Sequence, residues 1–195
     1  MRFPLLGPDQ VCVGASLVVP SPLRERLLQV RRACGDPQAE AFPPHITVIP
    51  PTAVSRSALP AMLDRIETRI GQCGPFNVRL RGAGTFRPVT PVVFAKLVEG
   101  AGACAALESQ VREAIGHPEG RFPYEPHVTV AQDATDAVLD QAENAIGDLD
   151  EGFAVDALEV CLLQPDAVWQ PLRRFPLAPS GRGQASAESG PEESK

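Results

Sequence analysis

PHITV at residues 44–48 and PHVTV at residues 126–130 are nearly the same pentapeptide, and they hold two of the chain's three histidines, His45 and His127. Chance is the first explanation to weigh for a short match within 195 residues. With Pro, Thr and Val each at roughly a tenth of positions or fewer, a second histidine repeats this setting with a probability below about one in a thousand. The match therefore asks for a structural cause, and the flanking sequence supplies one.

Ahead of the first copy stand an apolar strand (11–19), a helix opening at Ser21-Pro22 and running through LRERLLQVRRA, and a loop ending at Pro43-Pro44. After it come a helix over about 56–72, with Leu59, Met62, Leu63, Ile66 and Ile70 at helical spacing, and an alternating strand, FNVRLRG, at 76–82. The order then restarts with an apolar strand (91–98), a helix (103–116), the loop GHPEGRFPYEP, the second copy, a helix over about 135–147 and an apolar strand (153–163). A stretch at 168–177 reads as an extra edge strand. Matching elements are offset by 79 to 82 positions, so one β-α-β-α-β unit is written twice.

Such a duplication predicts an α+β fold in which two pseudosymmetric lobes, about 11–84 and 91–177, form one bilobal domain over 1–177. An approximate twofold then brings the equivalent strands together at a central cleft between mixed or antiparallel sheets, with strand exchange between lobes left open. Residues 178–195, rich in Ser, Gly, Pro and Glu, carry no large apolar side chain and are expected to be disordered.

Composition narrows the class. A hydrophobic share of 44% is enough to build a sizeable core. No apolar run approaches the roughly 20 residues that span a bilayer, and MRFPLLGPDQ lacks the apolar core of a signal peptide, so the expected setting is cytoplasmic. Five scattered cysteines with no CxxC pair suit reduced thiols. The formal net charge of −6 is uneven. Of 24 acidic residues, eleven lie in 122–172, where there is no Lys or Arg; the other 13 share the rest of the chain with all 18 basic residues. That local positive excess is available either to flank an anionic ligand or to form an ordinary solvated surface.

On a strand, alternate residues share a face, so His45 and Thr47 point one way while Ile46 and Val48 point the other; His127 and Thr129 stand likewise against Val128 and Val130. Two imidazoles and two hydroxyls converging on one cleft suit a phosphodiester. One neutral imidazole takes a proton from an attacking water, a protonated one gives a proton to the leaving oxygen, and the hydroxyls donate to non-bridging oxygens. A lone strand histidine is more often structural, and only the duplication reverses those odds. No Cys, Asp or Glu sits at chelating spacing to either histidine, so neither a metal nor any other cofactor is expected.

These residues carry a resemblance to the 2H phosphoesterase superfamily and its LigT-like branch of RNA 2′,3′-cyclic phosphodiesterases and 2′-5′ RNA ligases, which is defined by two H-x-[ST]-x motifs in pseudosymmetric lobes. The motifs here are His45-Ile46-Thr47-Val48 and His127-Val128-Thr129-Val130, and the likeness spans about residues 11–177. The resemblance implies metal-independent hydrolysis of a 2′,3′-cyclic phosphate, on a nucleotide or RNA end, to a phosphomonoester, with 2′-5′ RNA ligation as a further activity. By that analogy His127 is the base and His45 the acid. The segment GTFRPVTPVVFAKL (84–97) resembles the family's approach to its second lobe, with Phe86 and Arg87 facing substrate; RFPYEPH (121–127) resembles the approach to the second motif, with Arg121, Phe122 and Tyr124 available for phosphate and base. Core packing competes for Phe86 and Phe122. Partners implied are a nucleotide or RNA end bearing a 2′,3′-cyclic phosphate or 2′-5′ linkage, bound by a monomer. Where many relatives carry a basic residue after the second motif, this chain has Ala131-Gln132-Asp133, which favours a small nucleotide or short RNA end. The rival reading is a nucleotide- or RNA-end-binding module without turnover.

Overall fold

The computed structural model describes residues 3–36, 39–117 and 122–177; Arg121 and the tail 178–195 lie outside the described residues. The elements run β1 (Gln10–Val18), α1 (Leu23–Ala33), β2 (His45–Ser55), α2 (Leu59–Ile70), β3 (Phe76–Thr85), β4 (Val92–Glu99), α3 (Ala101–Ile115), β5 (His127–Gln132), α4 (Asp136–Ala145), β6 (Asp150–Val155), β7 (Ala157–Leu163) and β8 (Trp169–Pro176). Each motif thus opens a strand with its histidine, directly after a proline whose missing N–H suits a strand start.

All eight described strands belong to one antiparallel sheet in the order β6-β3-β4-β5-β2-β1-β7-β8. The expected facing sheets are therefore continuous, joined where β2 meets β5 at the single registered pair Ile46↔Val128. Reading outward from that pair, β2-β1-β7-β8 mirrors β5-β4-β3-β6. β3, from the first half of the sequence, sits beside β4 and β6, while β7, from the second half, sits beside β1 and β8.

The strand expected over 153–163 is instead two strands, separated by Asp156 alone. In a flat sheet β6 and β7, six positions apart, would stand roughly 29 Å from each other at about 4.8 Å per strand. One linking residue spans only about 7 Å. The sheet must therefore curl; the backbone N–H of Leu177 donates to the Asp156 carbonyl at 2.8 Å and so carries the β7–β8 ladder up to the linking residue.

One face of the sheet is closed by the helices. Val11, Val13, Ala15 and Leu17 of β1, Ile46 and Val48 of β2, and Val128 and Val130 of β5 share a core with Leu27 of α1, Met62, Ile66 and Ile70 of α2, Leu107 and Val111 of α3 and Leu139 of α4. Each such buried Val, Leu, Ile or Met side chain contributes about 1.5–3 kcal/mol relative to exposure. The other face carries His45, Thr47, His127 and Thr129.

Both motif strands bulge at the same place. Across β1–β2 the register passes from Ser16↔Thr47 to Ala15↔Ile49, leaving Val48 as the extra residue; across β4–β5 it passes from Phe94↔Thr129 to Val93↔Ala131, leaving Val130. A bulge bends its strand and puts two successive side chains on the buried side. Val48 with Ile49, and Val130 with Ala131, are all buried accordingly.

Candidate active site

The site is built around the Ile46↔Val128 pair. Those two side chains enter the core, so their sequence neighbours lie on the opposite face. An antiparallel register carried one residue to either side sets His45 across from Thr129 and Thr47 across from His127. Tyr124 reinforces the junction: its hydroxyl donates to the Thr47 carbonyl at 2.9 Å and ties the approach to β5 onto β2. Partly buried, with its hydroxyl pushed up in pKa chiefly by burial, Tyr124 acts as a brace in this structure.

Both imidazoles are held in the same tautomer by the same device. His45 Nδ1 lies 2.8 Å from the Pro43 carbonyl and His127 Nδ1 lies 2.7 Å from the Glu125 carbonyl, in each case two residues back. A carbonyl only accepts, so Nδ1 carries the hydrogen and the neutral ring keeps its lone pair on Nε2. Burial lowers the pKa of His45 to about 4, opposed by the Pro43 bond and assisted by the nearby charges of Arg31 and His127. Burial also lowers His127, opposed by the Glu125 carbonyl and the Glu125 carboxylate. The two rings flank the Ile46↔Val128 pair on the same face of the sheet.

Each ring is packed by aromatics. Phe42 lies 4.0 Å from the His45 ring centre and 5.5 Å from that of Trp169. Phe86 meets His127 edge-on at 5.0 Å, and Phe94 lies 4.9 Å from it. Glycine makes room on both sides. A Cβ at Gly14 would stand 3.2 Å from the Trp169 ring, and one at Gly84 would come within 2.6 Å of the Phe94 ring and 2.8 Å of Lys96 Cγ. The loop bearing Phe42 is fixed by Arg31, which donates to the Phe42 carbonyl at 2.6 Å and pairs with Asp36 at 2.8 Å. Beside His45 a cavity of about 20 Å³, bounded by Gly14, Ser16, Phe42, Thr47 and Trp169, has room for about one water-sized group. The Ser16 hydroxyl is buried there with no hydrogen-bond partner among the described residues.

Of the residues expected to face substrate, Phe86 reaches His127. Phe122 is exposed ahead of β5. Arg87 turns instead toward α4, where Nη1 pairs with Asp140 at 2.8 Å and Asp136 at 3.5 Å and Nη2 pairs with Glu143 at 2.9 Å. The positive excess read from the sequence is consumed in the same manner. Arg26 pairs with Asp148, and Arg79 and Arg81 with Asp150, so the acidic segment neutralises the basic one on the surface. Phe42, Phe94, Trp169 and Ser16 were not singled out from the sequence. Phe42 had a signal, since its FPPH parallels the FPYEPH of the second motif; the others lie on neighbouring strands and become visible only with register.

Among the described residues no cluster of three or more His, Cys, Asp or Glu is placed to hold a metal ion, and no helix is long and apolar enough to cross a membrane. Comparison with known proteins agrees with the architecture. E. coli LigT complexed with phosphate superposes with a TM-score of 0.66 at 17% identity, covering 87% of this chain and 99% of LigT. TT0787 of Thermus thermophilus gives 0.59 at 22%, covering 86% and 98%. Two proteins provisionally named phosphoesterase, from Bacillus mycoides and Bacillus cereus, are 26% identical over 121 residues, which is 62% of this chain and 70% of each of them. With residues 19–169 matching the family description and the duplicated fold in place, the chain belongs to the 2'-5' RNA ligase superfamily.

Proposed function

We propose that this protein is a metal-independent phosphoesterase that opens a 2′,3′-cyclic phosphate, on a nucleotide or short RNA end, to a phosphomonoester. The observation that carries the reading is the matched pair of imidazoles, each with Nδ1–H spent on the carbonyl two residues back and Nε2 left as the reactive nitrogen. The provisional phosphoesterase names of the Bacillus relatives support it, as do structures of E. coli LigT with phosphate and with 3'-AMP.

One imidazole serves as base and the other as acid, and burial lowers the pKa of both, that of His45 to about 4. In the forward step the water oxygen bonds to phosphorus while its proton passes to the Nε2 of one ring. The bond from phosphorus to one ribose oxygen breaks, and that oxygen takes the proton carried on the Nε2 of the other ring. Thr47 and Thr129 donate to the non-bridging oxygens as charge develops.

The test is turnover of 2′,3′-cyclic mononucleotides with EDTA present. His45→Ala and His127→Ala should each lower kcat by about 10² or more while the melting temperature stays near that of the wild type. Full activity in either variant, or loss of wild-type activity to the chelator, defeats the mechanism. Binding of a nucleoside 2′-phosphate with no turnover of any cyclic phosphate replaces it by a binding module.

A further inference from the structure

The two motif strands and their outer neighbours, β2 with β1 and β5 with β4, hold mirrored places in the sheet, yet the neighbours differ in charge beside the histidines. On β1, Val18 stands directly across from His45; at the equivalent place on β4, Lys96 stands directly across from His127. Residues paired this way project to the same face with Cβ atoms about 4.5–5.5 Å apart, so the Lys96 stem starts beside the His127 ring. The absence of a Cβ at Gly84 lets that stem lie down, since one there would come within 2.8 Å of Lys96 Cγ.

Lys96 is exposed, and no carboxylate or hydrogen-bond partner among the described residues engages its ammonium. Its surroundings make this unusual. Arg79 and Arg81 on β3 share Asp150, and Arg87 is held by three carboxylates of α4. The chain contains only two lysines, Lys96 and Lys195, against sixteen arginines. A lysine presents a compact mobile charge rather than a planar fork, which suits contact with a phosphate oxygen whose geometry changes during reaction.

We propose that Lys96 is a substrate-contacting residue of this site, binding a non-bridging oxygen of the reacting phosphate on the His127 side; the assignment rests on the phosphoesterase reading above. A cyclic diester carries one negative charge and the phosphomonoester product carries up to two. A cation beside the phosphate therefore stabilises the developing charge more than the ground state, and its loss lowers kcat as well as affinity.

The experiment compares wild type, Lys96→Met and Lys96→Arg on a 2′,3′-cyclic mononucleotide that bears no other phosphate, and measures binding of inorganic phosphate by calorimetry at two salt concentrations. Lys96→Met should lose about tenfold or more in kcat and about tenfold in phosphate affinity, with a shallower salt dependence and an unchanged melting temperature. Lys96→Arg should recover part of both. A Lys96→Met protein within twofold of wild type in turnover and in phosphate binding overturns the proposal. If the wild type binds phosphate without turning over the cyclic nucleotide, and Lys96→Met weakens that binding, the hydrolytic reading fails while the phosphate contact stands. A wild type that binds no phosphate overturns both.

Discussion

At the scale of single residues, the proposed chemistry turns on two histidines whose pKa values burial lowers. The sign of the resulting pH dependence follows from where the protons bind. His45 has a folded-state pKa of about 4 against an ordinary value of 6.5, so between those limits the unfolded chain binds more protons and stability falls as the pH drops. At about 1.4 kcal/mol per unit this amounts to roughly 3 kcal/mol across the window. Urea unfolding at pH 7 and at pH 4.5 should show that loss in the wild type and a visibly smaller one in His45→Gln, which titrates one imidazole fewer; equal losses in the two proteins would assign the effect elsewhere. The residues proposed to carry this chemistry are legible in the sequence, because a duplicated His-x-Thr is a strong signal in a chain with three histidines. Their packing is not. Phe94 and Trp169 approach the site from neighbouring strands, and nothing in their own sequence surroundings marks them.

At the scale of elements, the site depends on how β2 and β5 are joined, since a single registered pair holds them. The Tyr124 hydroxyl adds one bond across that junction. Tyr124→Phe removes only this bond and should cost about 1 kcal/mol, read from the urea midpoint, together with a fall in kcat as the two motif strands loosen; unchanged kcat would limit Tyr124 to a structural part. Gly84 offers a complementary test from β3. Gly84→Ala forces the Phe94 ring, and through it His127, out of place, and overpacking of this kind costs typically about 1–3 kcal/mol. Thermal unfolding of Gly84→Ala against Gly102→Ala, a helix position where an added Cβ meets nothing, separates the close approach from the general effect of replacing a glycine. The helices were placed well by periodicity because each buries one stripe, as Met62, Ile66 and Ile70 do in α2. The matched bulges at Val48 and Val130 were beyond that kind of reading, since a run such as ITVIP has the same composition whether or not one residue is left unpaired.

At the scale of the whole molecule, charge stabilises the assembly of the two halves rather than forming a broad basic groove. Arg87→Ala should therefore leave KM for a cyclic nucleotide within about twofold and lower the melting temperature only slightly, by an amount that shrinks with added salt, as solvent-exposed ion pairs do. A large rise in KM would return Arg87 to the substrate-binding role suggested by its place in GTFRP. The sequence by itself determined the duplication, the face on which His45, Thr47, His127 and Thr129 lie, and the family, because repeat spacing and side-chain alternation are properties of the chain's own order. Only the tertiary structure decided that β3 sits beside β4 and β7 beside β1, that the sheet curls through the single residue Asp156, and that Lys96 keeps its charge free while Arg87 does not. Those outcomes depend on which distant strands become neighbours, and hydrophobic periodicity states which face of a strand is buried without stating what lies beside it.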